Sequence, residues 1–308
     1  MGATMLMLLI KGSFHLSGHT APDGDTIPFI PDYVGEWKLV QGCKRPQPAR
    51  DGHVDVRLEG IDALETHYSG SYGEEKHQPA KLGDAATDAL LTWLGFGDIR
   101  RTPDPQHPHD VISATPDTVP GYILTRGTDV FGRCVSFVGK GTEPPGASGY
   151  ELDVGVRRLK ETANYQLVAD GLAYPMFYAG LDPELRRELA AAKELAKAGT
   201  GKGIWNIAAD AMGDVTVTGA KVTGMQSITD DVVILPKLFR RLKEYLSLGN
   251  TTLDAFRMYL AGGTEDKFLD LTQADPKEQT GLHNIVEVTD TNTLRMTLPS
   301  EQILFTPR

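Results

Sequence analysis

The sequence predicts an α+β fold: a small twisted β-barrel or sheet with helices packed against it, followed by a smaller mixed unit. Strand-like apolar runs fall at 5–16, 27–30, 53–62, 119–124 and 134–139. Helical spacing of apolar residues appears from Pro79 and again from Asp182. The resulting order is strands, helix, strands, helix, helix, and a chain of 308 residues exceeds the commonest single-domain length.

The first strand is MLMLLIKGSFHL, with an irregularity expected at Gly12. PDGDT, ending at Thr26, is a turn, and IPFI follows it as a short strand. A polar loop over 42–52 leads to HVDVRLEGID. There Val54, Val56 and Leu58 alternate with Asp55, Arg57 and Glu59, the mark of a half-buried strand. Residues 66–78 are polar and read as a mobile loop. Pro79 opens a helix whose Leu82, Ala86, Leu90 and Trp93 or Leu94 share a face. Residues 95–118 carry four prolines and read as loop. VPGYIL and CVSFVG are strands joined by a turn through Thr128, Asp129 and Gly132. A short helix is expected over Asn164–Ala173. A stronger one is capped by Asp182 with Pro183 at its first position, its stripe being Leu185, Leu189, Ala192 and Ala196.

The second unit, 209–308, opens with short strands at 214–223. LPKLFRRLKEYLSL at 235–248 is an amphipathic helix with Leu238, Leu242, Tyr245 and Leu246 on one side and Arg240, Arg241, Lys243 and Glu244 on the other. Core packing is the expected role of its apolar side, and a local contact with nucleic acid the most expected of its arginines. Another helix follows Thr251 or Thr252, and 284–288 with 293–298 form a hairpin across TDTN. No second active site is expected in this accessory domain.

Net charge is −10, and acidic side chains outnumber basic ones in both units. Extensive phosphate coating by the bulk surface is excluded; a focused site built from a few arginines is not. No stretch approaches ~18 consecutive apolar residues, so no transmembrane helix is expected. Two cysteines, Cys43 and Cys134, cannot build a disulfide scaffold, although one bridge between them is open. The absence of a basic, small-residue leader at Met1 favours the cytoplasm; a leader removed before Met1 would allow secretion.

Chemistry concentrates in Asp25, Arg57, Asp62, Glu65 and Arg133. Asp23 and Asp25 flank a glycine, which suits an oxygen-ligand cation site and equally suits turn chemistry. Arg57 between two acidic neighbours has a plain reading as a salt-bridged surface arginine. Asp62 and Glu65 leave a strand end, where functional loops concentrate.

Four blocks resemble, in order, the thermonuclease (staphylococcal-nuclease-like) family over about 5–208: DGDT at Asp23–Thr26, VRLEGIDALET at Val56–Thr66, DVFGR at Asp129–Arg133, and NYQLVADGLA followed by AKELAKAGTGKGIW. The resemblance implies a nuclease domain over 1–208 built on a small OB-like five-stranded barrel. It implies a Ca²⁺-dependent nuclease of DNA and RNA with little sequence specificity that leaves 3′-phosphate ends. Asp25, Asp62 and the Ala63 backbone carbonyl match the metal ligands, Glu65 the general base, and Arg57 and Arg133 the two phosphate-binding arginines. Ala63 replaces the usual threonine and Leu64 the common proline. Tyr178 and Phe177 fall where family aromatics stack on the nucleotide; an aromatic plug packing the last helix is the competing reading. Nothing demands more than a monomer. The alternative function is a nucleic-acid- or protein-binding scaffold that keeps the fold without turnover. His67, His77, His107 and His109 lack cysteine support for a zinc site and read as surface histidines.

Overall fold

A computed structural model describes residues 5–16, 20–104, 108–141, 146–209, 211–263 and 266–306. The chain begins with β1 (Met5–His15), β2 (Thr26–Pro31), β3 (Val54–Leu58) and β4 (Ile61–Ala63), followed by helix α1 (Ala80–Leu94). Two short strands, β5 (Arg100–Arg101) and β6 (Val111–Ser113), pair within the proline-rich segment expected to be loop. Then come β7 (Thr118–Thr128), β8 (Cys134–Lys140), β9 (Glu151–Val154), α2 (Val156–Leu159) and α3 (Ala163–Ala169). Strands β10 (Ala173–Pro175) and β11 (Phe177–Tyr178) precede α4 (Pro183–Lys197). Beyond residue 209 lie β12 (Ala220–Lys221), α5 (Pro236–Ser247), α6 (Phe256–Gly263), β13 (Lys267–Asp270), β14 (Gln279–Thr280), β15 (Val286–Asp290), β16 (Thr293–Met296) and β17 (Ile303–Phe305).

The main sheet runs β2-β3-β8-β7-β1-β9, and β1 also pairs with β2. Five strands therefore close into a barrel, with β9 added outside the ring on the N-terminal half of β1. All ring pairings are antiparallel except β3 with β8, an arrangement consistent with an OB-like barrel. The period-two pattern of β3 is realised: Val54, Val56 and Leu58 are buried, Asp55 is exposed and Arg57 is half-buried. Gly12 is required where β1 meets β2, because a Cβ there would lie 2.1 Å from the Ile30 carbonyl oxygen. Ile10, Phe14, Phe29, Val56, Ile123 and Val138 share one face of the strands in register and fill the barrel, and α1 closes on it through Ala86, Leu90 and Leu91. Asp182 caps α4 as expected, accepting the Glu184 N–H at 2.7 Å.

Packing crosses the expected boundary at 208/209. One apolar cluster joins Leu64, Tyr174, Met176, Ile204 and Trp205 to Leu238, Phe239, Leu242, Phe256 and Phe305. Strand β11 pairs with β17, Tyr174 donates its hydroxyl to Asp214 at 2.7 Å, and Lys193 pairs with Glu301 at 2.5 Å. Helix α5 is buried nearly all round, its charged side included. The segment 66–78 is fastened to it: buried Lys243 donates to the carbonyls of Ser69 and Tyr72, and Glu244 accepts the Ser71 N–H at 2.8 Å. The expected mobile loop is thus pinned, because its carbonyls satisfy a lysine taken out of water. No disulfide joins the exposed Cys43 to the buried Cys134, whose thiol is pushed up to about 11 by burial.

Candidate active site

The site assembles where β2, β3 and β4 meet. The Asp23 carboxylate accepts the Asp25 N–H at 3.0 Å, closing the turn that starts β2, and the Leu58 N–H bonds the Asp25 carbonyl at 2.8 Å. Gly24 permits this approach: a Cβ there would lie 2.7 Å from the Cβ atoms of both Ala63 and Ala86. Asp25 Oδ2 accepts the Ala63 N–H at 2.7 Å, so two segments 38 residues apart are joined by one buried carboxylate. In an extended residue N–H and C=O lie on the same edge, so the Ala63 carbonyl shares the side of Asp25.

Arg57 bridges the two aspartates. Its Nη1 pairs with Asp25 Oδ1, and its Nη2 lies 2.5 Å from Asp62 Oδ1 and 3.4 Å from the Ile61 carbonyl. Strand pairing produces this: Arg57 stands opposite Thr26, the residue after Asp25, and Asp62 follows the turn that ends β3. Asp62 is wholly buried. Burial works to raise its carboxyl, but Arg240 and Arg57 outweigh it and hold the group below the usual carboxylate range.

Arg240 on α5, expected to make at most a local contact with nucleic acid, is a member of the cluster that sequence reasoning did not place there. Its Nη1 pairs with Glu65 Oε1, and its Nη2 reaches Asp62 Oδ2 at 3.1 Å and Oδ1 at 3.3 Å. Glu65 therefore joins the cluster through an arginine 175 positions away in the chain. Burial raises the Glu65 carboxyl despite Arg240. Fully buried Gln78 supports this corner, accepting the Glu65 N–H at 3.2 Å and donating to the Ile234 carbonyl at 2.7 Å just before α5.

Arg133 is not drawn into this cluster. It precedes β8, beside Asp55 in the parallel register, and its guanidinium turns onto Asp129 through Nε and Nη2, both at 2.8 Å. It also lies over the Phe131 ring at 5.3 Å. The DVFGR turn satisfies its own arginine, which is the physical reason its fork bonds Asp129 rather than the Asp25–Asp62 cluster. Phe177 is corrected outright: at 1% exposure it belongs to the core, so its ring cannot stack on a base. Tyr178 is half-buried against Phe305, with the Lys237 ammonium 5.7 Å from its ring centre.

No family model matches this chain, and no curated protein matches it.

The carboxylates of Asp25, Asp62 and Glu65 are hard oxygen donors, the type calcium takes. One guanidinium already bridges Asp25 and Asp62, so the donor chemistry suits positive charge between them. Among the described residues, no group of three or more His, Cys, Asp or Glu side chains stands ready to hold a metal. As arranged, the carboxylate oxygens face arginines and a backbone N–H. His67 and His109 stack on each other at 5.6 Å away from any such group, and His107 lies outside the described residues. No helix among the described residues is long and apolar enough to cross a membrane.

Proposed function

We propose that the chain is a Ca²⁺-dependent phosphodiesterase, an endonuclease that hydrolyses DNA or RNA with little sequence preference and leaves 3′-phosphate ends. One observation carries this reading. Asp25, Arg57, Asp62 and Glu65, which the thermonuclease resemblance singles out, lie in one half-buried cluster at the edge of a closed five-stranded barrel. Asp25, Asp62 and the Ala63 carbonyl would hold the ion, which when bound supplies charge to polarise a phosphoryl oxygen. Arg57, released from the aspartates, offers a planar fork that binds two phosphate oxygens at once. Glu65, ionised, accepts the proton of the water whose oxygen bonds phosphorus as the P–O5′ bond breaks, and the departing 5′-oxygen takes up a proton from solvent. Low exposure of all four side chains keeps bulk water from competing for the arginine.

A second reading is favoured by one specific feature: every carboxylate of the cluster is already paired with an arginine. A closed cluster of this kind suits a nucleic-acid- or protein-binding scaffold without turnover. Release of acid-soluble nucleotides from DNA and RNA, with Ca²⁺ or with chelator, separates the two. Calcium-dependent release that disappears in an Asp25→Ala, Asp62→Ala variant is expected. No release by the wild type sinks the enzyme reading.

A further inference from the structure

We propose that Arg240, supplied by helix α5 of the C-terminal region, is the second phosphate-binding cation of the site. This rests on the phosphodiesterase reading for its substrate and gives residues 209–308 a direct part in the site.

The argument starts from convergence. Arg57 Nη2 and Arg240 Nη2 both reach the same atom, Asp62 Oδ1, at 2.5 and 3.3 Å. Two guanidinium forks that meet on one carboxylate oxygen come from different units of the chain and face the same point. A phosphate presents oxyanions of the same charge and similar spacing, so it can take the donors that Asp62 now receives. The Arg57 and Arg240 side chains retain 17% and 24% exposure, whereas Asp62 has none, so ligand can approach the cations.

Rigidity is the second part. Leu238, Phe239 and Leu242 on α5 are fully buried. The residues on either side of Arg240 along the charged face, Lys237 and Arg241, both grip Asp266, at 3.1 and 2.7 Å. Gln78 ties the segment before the helix to the Glu65 backbone. Arg240 is therefore preorganised, which is what makes a charged donor effective on a developing oxyanion. Arg133 differs in partner: its fork bonds Asp129 rather than the carboxylate on which Arg57 and Arg240 converge.

The test uses the full-length protein without metal. Inorganic phosphate and a phosphorothioate-linked thymidine dinucleotide are titrated by calorimetry into wild type, Arg240→Ala, Arg240→Lys and Arg133→Ala. Arg240→Ala should weaken both probes about tenfold or more, as expected for a lost charge-assisted pair. Arg240→Lys should recover part of the loss, and Arg133→Ala should cost far less than Arg240→Ala. A wild-type readout guards against misfolding: guanidinium ¹⁵N resonances of Arg57 and Arg240 should shift on adding phosphate. Unchanged affinity in Arg240→Ala, a larger loss in Arg133→Ala, or shifts confined to Arg133 would each overturn the proposal. Calcium-dependent cleavage alongside unchanged phosphate binding in Arg240→Ala rejects this inference alone. Phosphate binding that depends on Arg240 in a wild type that never cleaves rejects only the phosphodiesterase reading.

Discussion

Arg57→Ala offers the sharpest test of how the site is held together. The arginine bridges two carboxylates whose side chains are 4% and 0% exposed, while its own side chain is 17% exposed. Removing it leaves Asp25 with its hydrogen bonds from Ala63 and Thr26 but without its ion pair, and leaves Asp62 with Arg240 as its remaining ion-pair partner. Orphaning a buried charge typically costs about 3–5 kcal/mol, and the partial exposure of Arg57 points to the lower end, about 3 kcal/mol. Adding Asp25→Asn removes one orphaned charge and should return about 1–2 kcal/mol, a coupling measurable in a double-mutant cycle. The pH dependence has a definite sign. Asp62 is held below its ordinary value of 3.8, so its stabilising effect is present above the unfolded pKa and fades as pH falls through the folded one. The wild-type advantage should therefore be full at pH 7 and shrink below about pH 4. Urea unfolding followed by circular dichroism at both pH values reads all of this. Equal stability of wild type and Arg57→Ala at pH 7, or a double variant no more stable than the single one, would refute the bridge.

Asp266→Asn should loosen the grip on α5. Burial works against its charge, yet Lys237 and Arg241 hold the carboxyl down to about 2, from 3.8. That shift corresponds to roughly 2 kcal/mol of stability present above the unfolded pKa and lost as pH falls towards about 2. Urea midpoints of wild type and variant should differ at pH 7 and converge near pH 2. Gln78→Leu strands the Glu65 N–H and the Ile234 carbonyl in the interior, at about 1–3 kcal/mol for each unsatisfied group. Faster hydrogen exchange at the Glu65 amide, with α1 unchanged, is the expected signature.

The local elements were legible because each rests on short-range physics. The alternation of Val54, Val56 and Leu58 with Asp55 and Arg57 shows a strand with one wet side, and Asp182-Pro183 marks a helix start whatever surrounds it. Asp25, Arg57, Asp62 and Glu65 stood out through their order along the chain; strand register brings the first three together, and Arg240 joins Glu65 to them. Arg133 lies outside the Asp25–Asp62 cluster because the turn before β8 supplies Asp129 as a nearer partner, and Phe177 was misplaced because it lies in a strand buried by β17.

Arg240 was out of reach by a different route. On a helical wheel it belongs to a charged face, and a charged face normally points to water. Here that face, with Lys237, Lys243 and Glu244, turns inward and is matched by Asp62, Glu65, Asp266 and the carbonyls of 69 and 72. One helix cannot reveal whether its charges meet solvent or opposite charges brought in from positions some 175 residues earlier. Residue periodicity dictates the elements and the chemistry they carry. Which charges neutralise which follows from long-range packing, because Coulomb partners are chosen by distance in space rather than along the chain.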